Sequence, residues 1–520
     1  MTRRRLLTIV MGGCTAWLVL AGNAWAGITL PAVIGDHMVL QRDIPVPIWG
    51  WADAGEEVAV ELAGQTVTTN VGADGAWRVA LAPLPAGGPH TMTIRSEDGS
   101  ITVNDILVGE VWVCSGQSNM QMAVRECNRA EQEIAQADDS QLRLFTVPRQ
   151  TASKPQKDIE SGEWTACTSK SVRNFSAVAY FFGRSLRQHV GVPVGLIHTS
   201  WGGTRIEAWT SLEALATEPM AGPILDAHAQ TMARVDRQLD RYENAFAKWR
   251  REAAAAYEAG DPVPDPPKMP ADPRASQHQP AVLYNAMIAP LVPYGIRGAI
   301  WYQGESNAGR AYQYRALHPL MIRDWRQHWG QGDFPFLFVQ LANYQAPPEQ
   351  PVDDAWAELR EAQLMTLALP NTGMAVIIDI GDADNIHPTN KQDVGDRLAR
   401  IARASIYGQD VVYSGPLYRS MKVEGSKIRL SFDHVDGGLA SRGGGPLTGF
   451  AIAGEDRQFV WADAVIDGET VVVHSDKVAK PAAVRYAWAI NPVCNLINKA
   501  GLPASPFRTD DWPGITIDER

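Results

Sequence analysis

Cysteine is scarce: five occur in 520 residues, and none of them form a CxxC pair. There is no HExxH motif and no Cys/His cluster at metal-ligand spacing, so the sequence implies neither a metal centre nor a disulfide-stapled scaffold. Positive charge is also short. Lys and Arg total 47 against 58 Asp and Glu, for a formal net charge of -11. That balance argues against nucleic acid or an anionic membrane as a partner. No internal repeat is evident, and the one long apolar stretch, Leu6 to Ala21, is broken by Gly12, Gly13 and Thr15 and is short for a membrane span.

That stretch has another reading. Arg3, Arg4 and Arg5 precede it, and Ala24-Trp25-Ala26 follows with small residues where a signal peptidase reads. Residues 1–26 are therefore expected to be a cleaved signal peptide, giving an exported protein, periplasmic or extracellular, with no membrane attachment. The run Thr2 to Leu7 has some twin-arginine character, which leaves the export route open. The segment holds three arginines and no acids, so cleavage takes the charge to -14. Four cysteines remain: Cys114, Cys127, Cys167 and Cys494. In an oxidising compartment Cys127 with Cys167 is the expected bridge, both lying in loop-like sequence, with free buried thiols as the alternative.

Residues 27–105 hold short β-rich runs between turns, such as Val58–Leu62, Gln65–Thr68 and Thr91–Ile94, which predicts a small β-sandwich. Residues 411–520 have the same texture, as in Lys427–Phe432 and Thr470–His474. The centre, 106–410, differs in kind. Five apolar runs recur there: Glu110–Cys114, Val194–Thr199, Gly298–Tyr302, Phe336–Gln340 and Met374–Ile380. Near-continuous apolar strands fit a parallel sheet buried on both faces. Helical spacing over Ala177–Leu186 and Val394–Ile406 completes a doubly wound α/β pattern. An insertion at 212–273 reads as helix to about residue 260, then as a Pro-rich loop over Asp261–Pro273.

Ligands of open parallel sheets collect beyond the carboxyl ends of the strands. After the first run comes Gly116-Gln117-Ser118-Asn119, after the second Trp201-Gly202-Gly203-Thr204, after the third Gln303-Gly304-Glu305 and after the last Asp384-Asn385-Ile386-His387. Each piece suits acyl transfer. Ser118 is a nucleophile once His387 takes its proton, and Asp384 is spaced to steady the imidazole, in preference to Asp382. Backbone N–H groups of Ser118 and Gly203, with the Gln303 amide, are candidate oxyanion donors. Pro388 is expected at the first position of a helix supporting His387.

In that order these motifs resemble the SGNH (GDSL-type) hydrolase superfamily and, more narrowly, its sialate O-acetylesterase group with the acetylxylan-esterase relatives. The resemblance spans nearly all of the chain after residue 26, including Ser200 to Trp209. It implies a flavodoxin-like three-layer α/β/α domain with a parallel sheet, flanked by β-rich modules. It also implies a Ser118–His387–Asp384 triad, no cofactor and an O-acetylated carbohydrate substrate, either sialic acid or a plant polysaccharide such as xylan or xyloglucan. The superfamily's third oxyanion donor is an Asn two residues after a Gly. Ser306 stands there, so Gln303 is expected to substitute, with Asn307 as the alternative. Glu305 is expected to support the histidine or the local fold.

Other residues admit two readings. Arg205 could meet a substrate carboxylate or pair with Glu207. Trp201, Trp209, Trp301 and Tyr302 could stack on sugars, though packing is the commoner role for each. Cys114 reads as a small buried strand residue. A glycosidase pairing of Glu305 with Asp384 would leave the serine idle.

Overall fold

The computed structural model describes residues 27–270 and 272–519, so the expected signal peptide lies outside the described residues. The central sheet is built on strand β1 (Gly99–Gly116), whose last ten residues are all buried. Its neighbours are β2 (Asp138–Thr146), β3 (Thr165–Thr168), β4 (Val194–Ser200), β5 (Gly298–Tyr302), β6 (Phe336–Val339) and β7 (Thr372–Ala375). The spatial order is β7-β6-β5-β1-β4-β2-β3. All these pairs are parallel except β2 with β3. Without the β2–β3 edge, the order β4-β1-β5-β6-β7 is the flavodoxin-like 2-1-3-4-5 arrangement. The expected apolar runs form these strands, although β7 ends at Ala375, before the run Val376–Ile380.

Helices pack in two separate pairs around the sheet, and the order of the strands reverses direction at β1. Helix α1 (Ser118–Gln121) follows β1 directly. Helices α2 (Ala177–Val190) and α6 (Lys391–Ser405) pack together, with α2 against β4 and α6 against β6 and β7. Gly395 permits this approach, since a Cβ there would stand 2.6 Å from the Cβ of Phe181. Helices α4 (Ala311–Trp329) and α5 (Ala355–Met365) form the second pair. Between β4 and β5 the insertion holds α3 (Gly222–Ala259), a 38-residue polar helix in which only Val235 is buried.

The flanking modules attach differently. Strands at Val39–Gln41, Glu57–Leu62, Gln65–Asn70 and Gly87–Ser96 extend the same sheet through the first half of β1. Their buried residues Val58, Val60 and Leu62 join the core that contains Val111 and Trp112. The expected boundary at 105/106 thus falls inside one strand. The C-terminal module has its own core of Ile428, Leu430, Val471, Val473 and Tyr486. Buried Arg360 of α5 knits that module to the rim: it donates to the carbonyls of Leu341 and Ala342 and to those of Ala489 and Ile490.

The expected Cys127–Cys167 bridge is not formed. Cys114, Cys127, Cys167 and Cys494 are all free. Burial pushes the Cys127 thiol up to about 11 and the Cys167 thiol to about 12, so both behave as inert core groups.

Candidate active site

The turn after β1 requires glycine at 116. Its φ is +142°, and a Cβ would lie 2.2 Å from the Tyr302 carbonyl oxygen. The Gln117 N–H donates to the same carbonyl at 3.0 Å. β1 is thereby pinned to β5 at the topological switch point, and Ser118 emerges as the first residue of α1, partly exposed.

His387 meets it there. Its Nε2 lies 2.8 Å from Ser118 Oγ, although the two residues are 269 positions apart. The loop carrying His387 is braced locally, with its N–H donating to Asn385 Oδ1 at 2.9 Å. Pro388 does not open the following helix. Asn390 is the cap, its side chain accepting from the Asp393 N–H, and α6 begins at Lys391. The proline instead shapes the turn between histidine and cap. Burial, aided by the nearby Lys391 charge and opposed by Glu126, holds the imidazole below its ordinary value, which favours the neutral form a base requires.

Asp384 is exposed, and no carboxylate oxygen of it lies within 4.0 Å of a His387 nitrogen. Its N–H instead closes the local turn, donating to Asp382 Oδ1 at 2.9 Å. Asp382 is likewise exposed and apart from the imidazole. Of the three expected members, the structure brings two into contact.

The glycine pair stands on the serine. A Cβ on Gly202 would be 3.2 Å from Ser118 Cβ, and the Gly202 N–H is held by Gln121 Oε1 at 2.7 Å. Gly203 adopts φ +74°. Among the described residues neither the Ser118 nor the Gly203 N–H donates to a protein acceptor. Among the described residues two backbone donors at the serine turn and the glycine pair thus lack a protein acceptor.

The expected third donor is a correction. Gln303 is fully buried and its Nε2 donates to Thr204 O (3.2 Å) and Asn307 Oδ1 (2.7 Å), while its Oε1 accepts from Tyr314 (2.9 Å). With both amide hydrogens committed, it shapes the wall rather than facing an oxyanion. Asn307 is also buried, donating to Glu207 Oε2 at 3.0 Å and accepting from the Ile206 N–H. Glu207 pairs with Arg310, not with Arg205. Arg205 is exposed and makes no ion pair among the described residues. Trp209, Trp301 and Tyr302 are fully buried packing residues, whereas Trp201 is partly exposed.

Sequence reasoning missed a buried polar cluster behind the serine. Asn119 Nδ2 donates to Glu305 Oε1 at 2.6 Å and to Ile386 O at 3.1 Å, and Lys391 Nζ donates to Asn119 Oδ1 at 2.6 Å. Burial raises the Glu305 carboxyl and lowers Lys391 to about 7. The available signal was Asn119 beside the nucleophile and a lysine four residues after the histidine.

The chain matches the family model described as carbohydrate esterase, sialic acid-specific acetylesterase, over residues 108–240 and 275–404. It belongs to that family. As a member of the sialic acid-specific acetylesterase family it is a carboxylic ester hydrolase. It is 33% identical to rat sialate O-acetylesterase over 93% of this chain and 95% of that protein. Against the human sialate O-acetylesterase it is 30% identical, over 97% and 99% respectively. Among solved structures, a carbohydrate acetylesterase from Xanthomonas citri superposes with a TM-score of 0.80 at 41% identity, covering 94% of this chain and all of that one. The matched residues thus span the serine turn, the glycine pair and the histidine loop, and skip part of the insertion.

Proposed function

We propose that this esterase removes O-acetyl groups from a carbohydrate in two steps. Ser118 Oγ attacks the acetyl carbonyl carbon while His387 Nε2 takes its proton. The oxyanion is met by the Ser118 and Gly203 N–H groups, and one such donor contributes roughly 3 kcal/mol. On collapse, His387 returns the proton to the departing sugar oxygen, leaving acetyl-Ser118. Water then attacks with His387 again as base, and acetate leaves. The observation that carries this reading is the 2.8 Å approach of Ser118 to His387 at the switch point.

Asp384 is the carboxylate we assign to the other imidazole nitrogen in the working complex. The family spacing Asp-x-x-His supports it, and catalytic hydrogen bonds commonly tighten only when substrate binds. The names of the mammalian relatives point to O-acetylated sialic acid, and exposed Arg205 suits its carboxylate. The Xanthomonas relative is a carbohydrate acetylesterase, which accommodates a second reading, an acetylated plant polysaccharide such as xylan or xyloglucan. The arginine-rich, apolar residues 1–26 support export to the periplasm or beyond.

The test is acetate release on O-acetylated sialic acid, acetylxylan and acetylated xyloglucan side by side, with Ser118→Ala as control. Release from at least one substrate, abolished in the variant, is expected. Undiminished release by Ser118→Ala would end the proposal.

A further inference from the structure

Lys391 is fully buried, yet it makes no salt bridge among the described residues. Among the described residues its ammonium has one hydrogen-bond acceptor, Asn119 Oδ1 at 2.6 Å, and it sits 5.2 Å from the centroid of the Tyr302 ring. Glu305, the nearest acid, is reached only through the Asn119 amide. Sealing an ammonium away from water with one neutral acceptor and a ring face is costly, and a methionine would fill the space without that cost. A purely packing role therefore does not account for the lysine.

The geometry of the amide does. An ammonium only donates, so it must face the amide oxygen. That fixes the Asn119 NH2 toward Glu305 Oε1 and the Ile386 carbonyl. Asn119 directly follows the nucleophile and Ile386 directly precedes the base. One side chain thus joins the serine turn, the β5 loop, the histidine loop and the first residue of α6. We propose that Lys391 is a positioning residue of the esterase reaction: its ammonium locks the Asn119 amide, and through it the Ile386–His387 segment, against the nucleophile turn. The proposal rests on the serine–histidine reading above.

The charge has a second consequence. Lys391 opposes protonation of His387, and Glu126 favours it. Facing Lys391 itself are Glu305, Cys127, Asn119 and Tyr302. Removing the ammonium leaves only burial to oppose Glu126, so the imidazole becomes easier to protonate.

The experiment is the pH profile of kcat and kcat/KM for 4-nitrophenyl acetate hydrolysis by the whole protein and by Lys391→Met, with folding checked by circular dichroism. A loss of kcat of about 10- to 100-fold at little change in KM is expected, the size of a small misplacement of reacting groups. The acid limb is expected to move to higher pH. A folded Lys391→Met with unchanged kcat, or with reduced kcat and an unmoved acid limb, would overturn the proposal. If methionine is not tolerated, Asn119→Asp keeps an acceptor for Lys391 but loses the donor to Ile386. It is then the variant read, with a lowered kcat expected, and an unchanged kcat overturns the proposal. Ser118→Ala separates the two levels: if it retains activity the serine mechanism itself fails, whereas an inert Ser118→Ala beside a wild-type Lys391→Met rejects only the lysine's role.

Discussion

The backbone N–H of Gly202 donates to the side-chain carbonyl of Gln121 at 2.7 Å, which ties the glycine pair to the short helix that opens with Ser118. The two backbone donors of the proposed mechanism thus belong to one hydrogen-bonded unit. Gln121→Leu removes the tie while keeping the volume. It is expected to lower kcat about tenfold by letting Gly203 drift, with KM for a small acetate ester nearly unchanged. Steady-state kinetics on such an ester measures it.

The imidazole's depressed affinity for a proton predicts the pH dependence. The base must be neutral, and a lowered folded-state value means it stays neutral further into acid. Activity should therefore hold through neutral pH and fall only as pH drops through a value below the ordinary ~6.5 of histidine. Titration of the His387 ring by NMR in Ser118→Ala should give the same value. An acid limb above 7 would contradict the environment described.

Asp384 and Asp382 are both exposed acids on the loop before His387, and the first is the imidazole's partner in the proposed mechanism. Asp384→Asn is expected to reduce kcat by about 10²- to 10⁴-fold, the range for losing an orienting carboxylate. Asp382→Asn, which keeps an Oδ1 to accept from the Asp384 N–H, should cost little. Equal and small effects would leave the serine–histidine pair working without a carboxylate partner.

Arg205 is exposed and makes no ion pair among the described residues. If the substrate bears a carboxylate, Arg205→Gln should raise KM about tenfold or more for O-acetylated sialic acid, consistent with loss of a charge-assisted bond. It should leave KM for a neutral acetylated sugar unchanged. Equal effects on both would assign Arg205 to the fold.

Gly116→Ala should destabilise the protein by at least about 2 kcal/mol, because both the space and the backbone angle exclude a side chain. A lowered thermal midpoint is the readout, accompanied by loss of turnover as β1 and β5 separate.

The parallel strands were legible because burial on both faces leaves apolar runs such as Ala299-Ile300-Trp301 unbroken. The rim motifs followed from where those strands end. β2 was not recognised, since its first half, Asp138 to Gln141, is polar and reads as loop. The cysteine pairing failed for a related reason: loop-like sequence around Cys127 and Cys167 hid the fact that both side chains are core. Gln303 was misassigned because spacing gives a residue's place on the chain but not the carbonyls waiting around it. Asn119 and Lys391 escaped notice because their significance exists only when four distant segments meet.

Strand Gly99–Gly116 enters from the N-terminal module and ends two residues before the nucleophile. It runs without a break in the strand across the expected boundary, Asp105 at φ +52° included, so the module is not carried on a loop linker. Cutting the chain at residue 105 would amputate half of the beam on which the serine is mounted, and the front module and the hydrolase should unfold in a single calorimetric transition.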